Sequence, residues 1–118
     1  MHLSHRLSYY VLAWALLSPS AEAGTLTPRQ TQLLANNCIQ CHARPDIGVP
    51  IMGKEADWLD RRRVGESAML LNVVQGVRGM PPLGYCTACN EQDFRAMIRL
   101  MANLPDPVVT TPATGGKK

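Results

Sequence analysis

Cys38-Ile39-Gln40-Cys41-His42 is the stretch from which the rest of this chain is read. A C-x-x-C-H run is an attachment sequence for c-type haem. The spacing has a physical reason. Two residues between the cysteines place both sulfurs on one side of a helical turn, within reach of two haem vinyl groups, while the adjacent imidazole reaches the iron as fifth ligand. The alternatives are a zinc site and a thioredoxin-like redox pair. Zinc would take Cys38, Cys41, Cys86 and Cys89, or three of these with His42. A redox pair asks for a βαβ setting, which the sequence does not offer.

Upstream of the motif, Arg6 precedes the mostly apolar run Leu7–Leu17, and Ala21-Glu22-Ala23 has the small-x-small pattern of a signal peptidase site. Residues 1–23 therefore read as a secretory leader cleaved after Ala23. The apolar run has 11 residues, short of the ~20 that span a bilayer as a helix. Export opposes the zinc reading, because thiols outside the cytoplasm are oxidised or otherwise covalently occupied. The expected product is periplasmic and free of stable membrane insertion once the leader is removed.

The remaining 95 residues hold three aromatics (Trp58, Tyr85, Phe94), five methionines, all four cysteines and one histidine, His42. A chain of this size makes one domain at most and buries only about 60–65% of its unfolded surface, so its core calls for a supplement. One haem per chain supplies that bulk. The net charge of +3 is unchanged without the leader, which loses one Arg and one Glu. That is too little for nucleic-acid binding, and the basic run Arg61-Arg62-Arg63 has no aromatic interleaving.

Downstream, the chain reads as all-α. Thr27-Pro28-Arg29-Gln30 starts a helix, with a hydroxyl cap, proline in the first turn and glutamine three residues after the cap. Ala43–Lys54 is an ordered loop rich in proline and glycine. Helices follow over Glu55–Arg63 and Ser67–Gln75, the second stopped by Gly76. Residues 76–89 form another loop, and Asn90 caps a last helix to about Asn103. There Phe94, Met97, Ile98, Met101 and Leu104 share a face and Glu91 pairs with Arg95. No alternating strand pattern occurs. The domain is expected over residues 24–104, with 105–118 a disordered tail.

With His42 the sole histidine after export, bis-histidine ligation within one chain is impossible. Methionine, lysine or an open position remains for the sixth ligand. Met69, Met97 and Met101 fall at apolar helical positions, where core packing is the expected role. Met52 lies ten residues after the motif, on the histidine side. Met80 differs, because Gly79, Pro81 and Pro82 stiffen its loop and the following proline biases its backbone to an extended conformation.

Taken together, the chain resembles a small class I c-type cytochrome, closest to the cytochrome c5 group, over about residues 27–104. The carrying motifs are Cys38–His42, Gly48-Val49-Pro50, Trp58-Leu59-Asp60-Arg61, Met80-Pro81-Pro82 and Cys86-Thr87-Ala88-Cys89. Lys54 stands where aspartate is usual, and Leu83 and Asn90 also depart from the pattern. The resemblance implies a small cytochrome c fold of about four helices around one covalently attached haem. It implies axial ligation by His42 and Met80 and a disulfide between Cys86 and Cys89. It also implies a hydrogen bond from His42 Nδ1 to the Pro50 carbonyl. Trp58 and Arg61 are candidate contacts of a haem propionate, the alternatives being core packing for Trp58 and a solvated Arg61.

The expected function is one-electron transport between redox-protein donors and acceptors by a monomer that transforms no substrate. Methionine sulfur raises the potential, and six-coordination leaves no place for dioxygen or peroxide. Competing readings are an electron-entry subunit of a periplasmic dehydrogenase, and a haem sensor or peroxidase-like protein with a labile Met80.

Overall fold

The computed structural model describes residues 25–107. The leader assigned to residues 1–23 and the tail from 108 onward lie outside the described residues. Thr27 caps the first helix, α1 (Pro28–Leu33), by accepting from the Gln30 N–H, while the Gln30 side chain reaches back to the Thr27 N–H. This reciprocal pair satisfies two amide groups that a helix start otherwise leaves open.

The chain does not run on as one regular helix. Residues Leu34–Cys38 form a π-helical turn before α2 (Ile39–His42), and the Ile39 N–H bonds to the Leu34 carbonyl five residues back. Nothing in the apolar spacing announces this wider turn. One extra residue in a turn rotates everything after it by roughly 100° about the helix axis, so the π turn, not α1, sets where Cys38, Cys41 and His42 point. Such turns concentrate at functional positions.

α3 (Glu55–Val64) and α4 (Glu66–Gln75) meet at Gly65, whose φ of 89° and ψ of 169° suit a residue without Cβ. A 3₁₀ turn, Pro82–Tyr85, precedes α5 (Glu91–Ala102). Asn90 caps α5 with a second reciprocal box, accepting from the Asp93 N–H while the Asp93 carboxylate accepts from the Asn90 N–H. Left-handed Asn103 ends it. Among the described residues there is no strand, only an isolated antiparallel bridge between Val77 and Met80. The fold class is all-α.

α5 is the spine. Phe94, Met97, Ile98, Met101 and Ala102 are buried along it, joined by Leu34, Trp58, Met69 and Cys86. α1, α3 and α4 all lie against α5, and the π turn lies beside the 3₁₀ turn. The element carrying Cys38 and the segment after Met80 are therefore neighbours, although some forty residues separate them in sequence.

Charged groups lock these packings. Arg29 of α1 reaches the buried Asp93 of α5 at 2.6 Å and the Ala88 carbonyl at 2.7 Å. Glu66 of α4 binds Arg95 at 2.7 Å and Arg99 through both its oxygens, at 2.6 and 2.9 Å. The Glu91–Arg95 pair of α5 is also present, at 2.8 Å.

Candidate haem attachment site

Cys38 is half-buried and Cys41 exposed, and the two are not bonded to each other. Burial pushes the Cys38 thiol above its ordinary pKa. Cys86 and Cys89 are joined as a disulfide. Among the described residues, no group of three or more His, Cys, Asp or Glu side chains could hold a metal ion. The four-cysteine zinc alternative is thereby removed, since two of its ligands are bonded to each other.

His42 is held from its far side. Its Nδ1 lies 2.7 Å from the Pro50 carbonyl oxygen, which can only accept, so Nδ1 carries a proton and in the neutral imidazole the lone pair is on Nε2. The segment that presents Pro50 is tied down at each residue. The Met52 N–H donates to the His42 carbonyl at 2.8 Å, and the Gly53 N–H to the Met101 carbonyl at 3.0 Å. The Ile51 N–H donates to Asp57 Oδ2 at 3.1 Å, and Trp58 Nε1–H donates to the Ile51 carbonyl at 2.7 Å. The Trp58 ring stacks near the imidazole, with centroids 6.0 Å apart and planes 30° from parallel.

The Trp58 ring is buried in the core and its N–H donates to a backbone carbonyl, an arrangement that supports the core-packing alternative for this residue. Arg61 is half-buried and gives one amino group to the Asp57 carbonyl at 2.7 Å. Sequence reading missed Asp57. Its only signal there is an acidic residue in the first turn of a helix that follows a proline-bearing loop.

Met80 is half-buried in a loop closed by two reciprocal backbone bonds, Val77 N–H to the Met80 carbonyl at 3.1 Å and Met80 N–H to the Val77 carbonyl at 2.9 Å. Gly76 lets that loop close. A Cβ at Gly76 would lie 2.7 Å from the Met80 oxygen and 2.9 Å from the Pro82 nitrogen. Beyond Pro82, Leu83, Gly84 and Tyr85 all take positive φ, a tight reversal that runs directly into Cys86. Met69, Met97 and Met101 are buried in the core, whereas Met52 is half-buried against it.

The donor set fits covalently bound haem. It comprises two thiols on consecutive turns that are not bonded to each other, an imidazole with its outer nitrogen fixed and its inner lone pair free, and a thioether on a braced loop. Leu71, Val74, Val77 and Tyr85, on α4 and the Met80 loop, leave apolar surface exposed. The protein's own buried hydrophobic set is nine residues among those described. A bulky macrocycle would supplement that set.

Comparison with known proteins points the same way. Residues 26–101 match the family model described as cytochrome c oxidase, cbb3-type, subunit III. The chain is 30% identical over 87 residues to cytochrome c5 of Ectopseudomonas mendocina, covering 72% of this chain and all of that protein. It is 30% identical over 74 residues to cytochrome c5 of Azotobacter vinelandii, covering 61% and 89%. The crystal structure of an electron transfer complex of nitrite reductase with cytochrome c contains a chain that superposes with a TM-score of 0.59 at 31% identity. That match covers 68% of this chain and 98% of the other.

Proposed function

The chain belongs to the class I c-type cytochromes, close to the cytochrome c5 group, and from that premise we propose that it is an exported, monomeric carrier of single electrons between redox proteins. In this reading Cys38 and Cys41 would hold one haem c through thioethers, and His42 and Met80 would hold its iron. The carrying observation is the 2.7 Å contact from His42 Nδ1 to the Pro50 carbonyl, directly after two cysteines not bonded to each other. That contact fixes the tautomer a ligating imidazole requires.

The bound haem supplies a reversible one-electron couple at iron; the protein supplies attachment, orientation and burial. His42 would present Nε2 to the iron with its ring orientation fixed by the Pro50 carbonyl. Met80 presents a soft sulfur on a loop braced by Gly76 behind it and the Cys86–Cys89 disulfide after it. With His42 and Met80 both holding the iron, small oxidants would find no place on it, and the protein would act as a carrier and not a catalyst. Export rests on the leader assigned to residues 1–23, and periplasmic placement follows from it. Donors and acceptors are other redox proteins, a class supported by the structural match to a cytochrome c in an electron transfer complex with nitrite reductase. A second reading, a subunit that passes electrons within a larger enzyme, is supported by the subunit description of the matching family model.

Absorption spectra of the purified protein test the assignment. The expected result is a covalent haem c spectrum with the far-red methionine-to-ferric-iron band, and no carbon monoxide binding at neutral pH. Met80→Ala should abolish that band, lower the potential and admit carbon monoxide. Retention of the band in Met80→Ala with its loss in Met52→Ala would refute the ligand assignment. Co-purification of the native protein with a larger partner would favour the subunit reading.

A further inference from the structure

The Pro50 carbonyl that accepts from His42 and the Ile51 N–H that donates to Asp57 belong to one peptide group. Asp57 Oδ2 lies 3.1 Å from the Ile51 nitrogen, and the Pro50 oxygen lies 2.7 Å from His42 Nδ1. The contacts run in series as carboxylate, amide N–H, amide carbonyl and imidazole N–H. We propose that Asp57 is a positioning residue for the axial imidazole: it polarises the Pro50–Ile51 peptide and thereby sets how strongly His42 donates to iron. The proposal rests on the reading of His42 as an axial ligand.

The chemistry follows from hydrogen-bond cooperativity. An ionised acceptor on an amide N–H shifts electron density toward that amide's oxygen, and the oxygen becomes a better acceptor for the next donor. A stronger pull on Nδ1–H makes Nε2 more basic. Where a carboxylate meets a metal-bound histidine directly, it raises ligand basicity in this way. Here one peptide group is interposed.

Asp57 is equipped for the task. The hydrogen bond from Ile51, followed by that from Lys54, holds its carboxyl below the usual carboxylate range. Its second oxygen pairs with Lys54 Nζ at 3.1 Å, and Arg61 is the other cation near it. The side chain is about one-fifth exposed, at 22%. An acid in a helix's first turn ordinarily caps its own helix or complements the dipole, but Oδ2 is directed outside α3, to Ile51. Lys54, where the cytochrome c5 pattern has an aspartate, then acquires a role: its charge draws density away from Asp57 and moderates the relay.

The experiment compares Asp57→Asn with Asp60→Asn in the holoprotein. Both remove one charge from α3, but Asp60 is 86% exposed and its ion pair is with Arg63, on the same helix. Two readouts are needed: the reduction potential, and the His42 Nδ1–H proton and nitrogen resonances in the ferrous state. An electron-richer imidazole favours ferric iron, so Asp57→Asn should raise the potential more than Asp60→Asn does. It should also move the Nδ1–H resonance toward a weaker hydrogen bond, while Asp60→Asn leaves that resonance in place. Lys54→Gln should shift the potential in the opposite direction, by less in an Asp57→Asn background than alone, because the two act through one carboxylate. Lys54→Gln alone keeps the test open if Asp57→Asn folds poorly, because it should move the Nδ1–H resonance toward a stronger hydrogen bond; an unmoved resonance would overturn the proposal.

Equal potential shifts for the two aspartate variants, with an unmoved Nδ1–H resonance, would overturn the proposal and leave His42 ligation standing. Additive effects of Lys54→Gln and Asp57→Asn would overturn it as well. A native protein whose His42 resonances show no axial ligation would overturn both this proposal and the ligand assignment beneath it.

Discussion

Gly76 and Gly65 occupy nearly the same backbone conformation, with φ and ψ of 78° and 152° against 89° and 169°. Their surroundings differ. A Cβ at Gly65 meets nothing within 4 Å, whereas at Gly76 it would collide with the backbone of Met80, Pro81 and Pro82. Gly65→Ala should therefore cost only the strain of placing a side chain in that region, about 1–3 kcal/mol. Gly76→Ala adds a collision that only the Met80 loop can relieve. We expect a larger drop in the urea midpoint and, in the holoprotein, weakening of the far-red methionine band, a change Gly65→Ala should not produce. Equal losses with the band intact in both would show that Gly76 matters only as a helix stop. Met97, 1% exposed, supplies the contrast. Met97→Ala should cost roughly 2–5 kcal/mol through the cavity it leaves, with axial ligation unchanged.

Between elements, one polar junction centres on Asp93, which caps α5 and receives Arg29 and Gln30 from α1. Asp93→Asn keeps the shape but loses the charge that makes these bonds strong, so the urea midpoint should fall by the equivalent of about 1.5–3 kcal/mol. Arg29→Ala should cost less, because Arg29 is itself 55% exposed and the cap survives it. A greater cost for Arg29→Ala would place the energy in the α1 contact and not in the cap. Both caps at this junction were legible in the sequence: Thr27 to Gln30 reads as a box, and Asn90 precedes a run with helical apolar spacing. The Cys38–His42 motif was legible for the same reason, since its meaning lies in local spacing. The π turn was not, because a single i→i+5 turn leaves no mark on periodicity and is decided by packing of Leu34 into the core and against the 3₁₀ turn. The partners of Trp58 and Asp57 escaped too. Each binds the backbone of Ile51, and a backbone group carries no side-chain identity to read.

For the molecule as a whole, Asp57, Glu66 and Asp93 are ionised struts between separate segments, and each has its pKa lowered by the fold. For Asp57 the leading cause is the Ile51 N–H, and for Asp93 it is the Arg29 hydrogen bond. For Glu66 burial acts in the opposite direction but is outweighed by the bonds from Arg95 and Arg99. A folded pKa below the unfolded one gives stability that is fully present above the unfolded value, about 4 for a carboxyl group. That contribution is lost as pH falls through the folded value. The urea midpoint should therefore stay level, so far as these groups decide it, from about pH 7 to about pH 5 and decline below about pH 4. The informative quantity is the difference between variants, not the decline itself. Glu66→Gln combined with Asp93→Asn should lower the neutral plateau and flatten the acid limb. Asp60→Asn, at an exposed pair, should change neither. An acid limb equally steep in the double variant and the native protein would place acid sensitivity outside these inter-helix carboxylates.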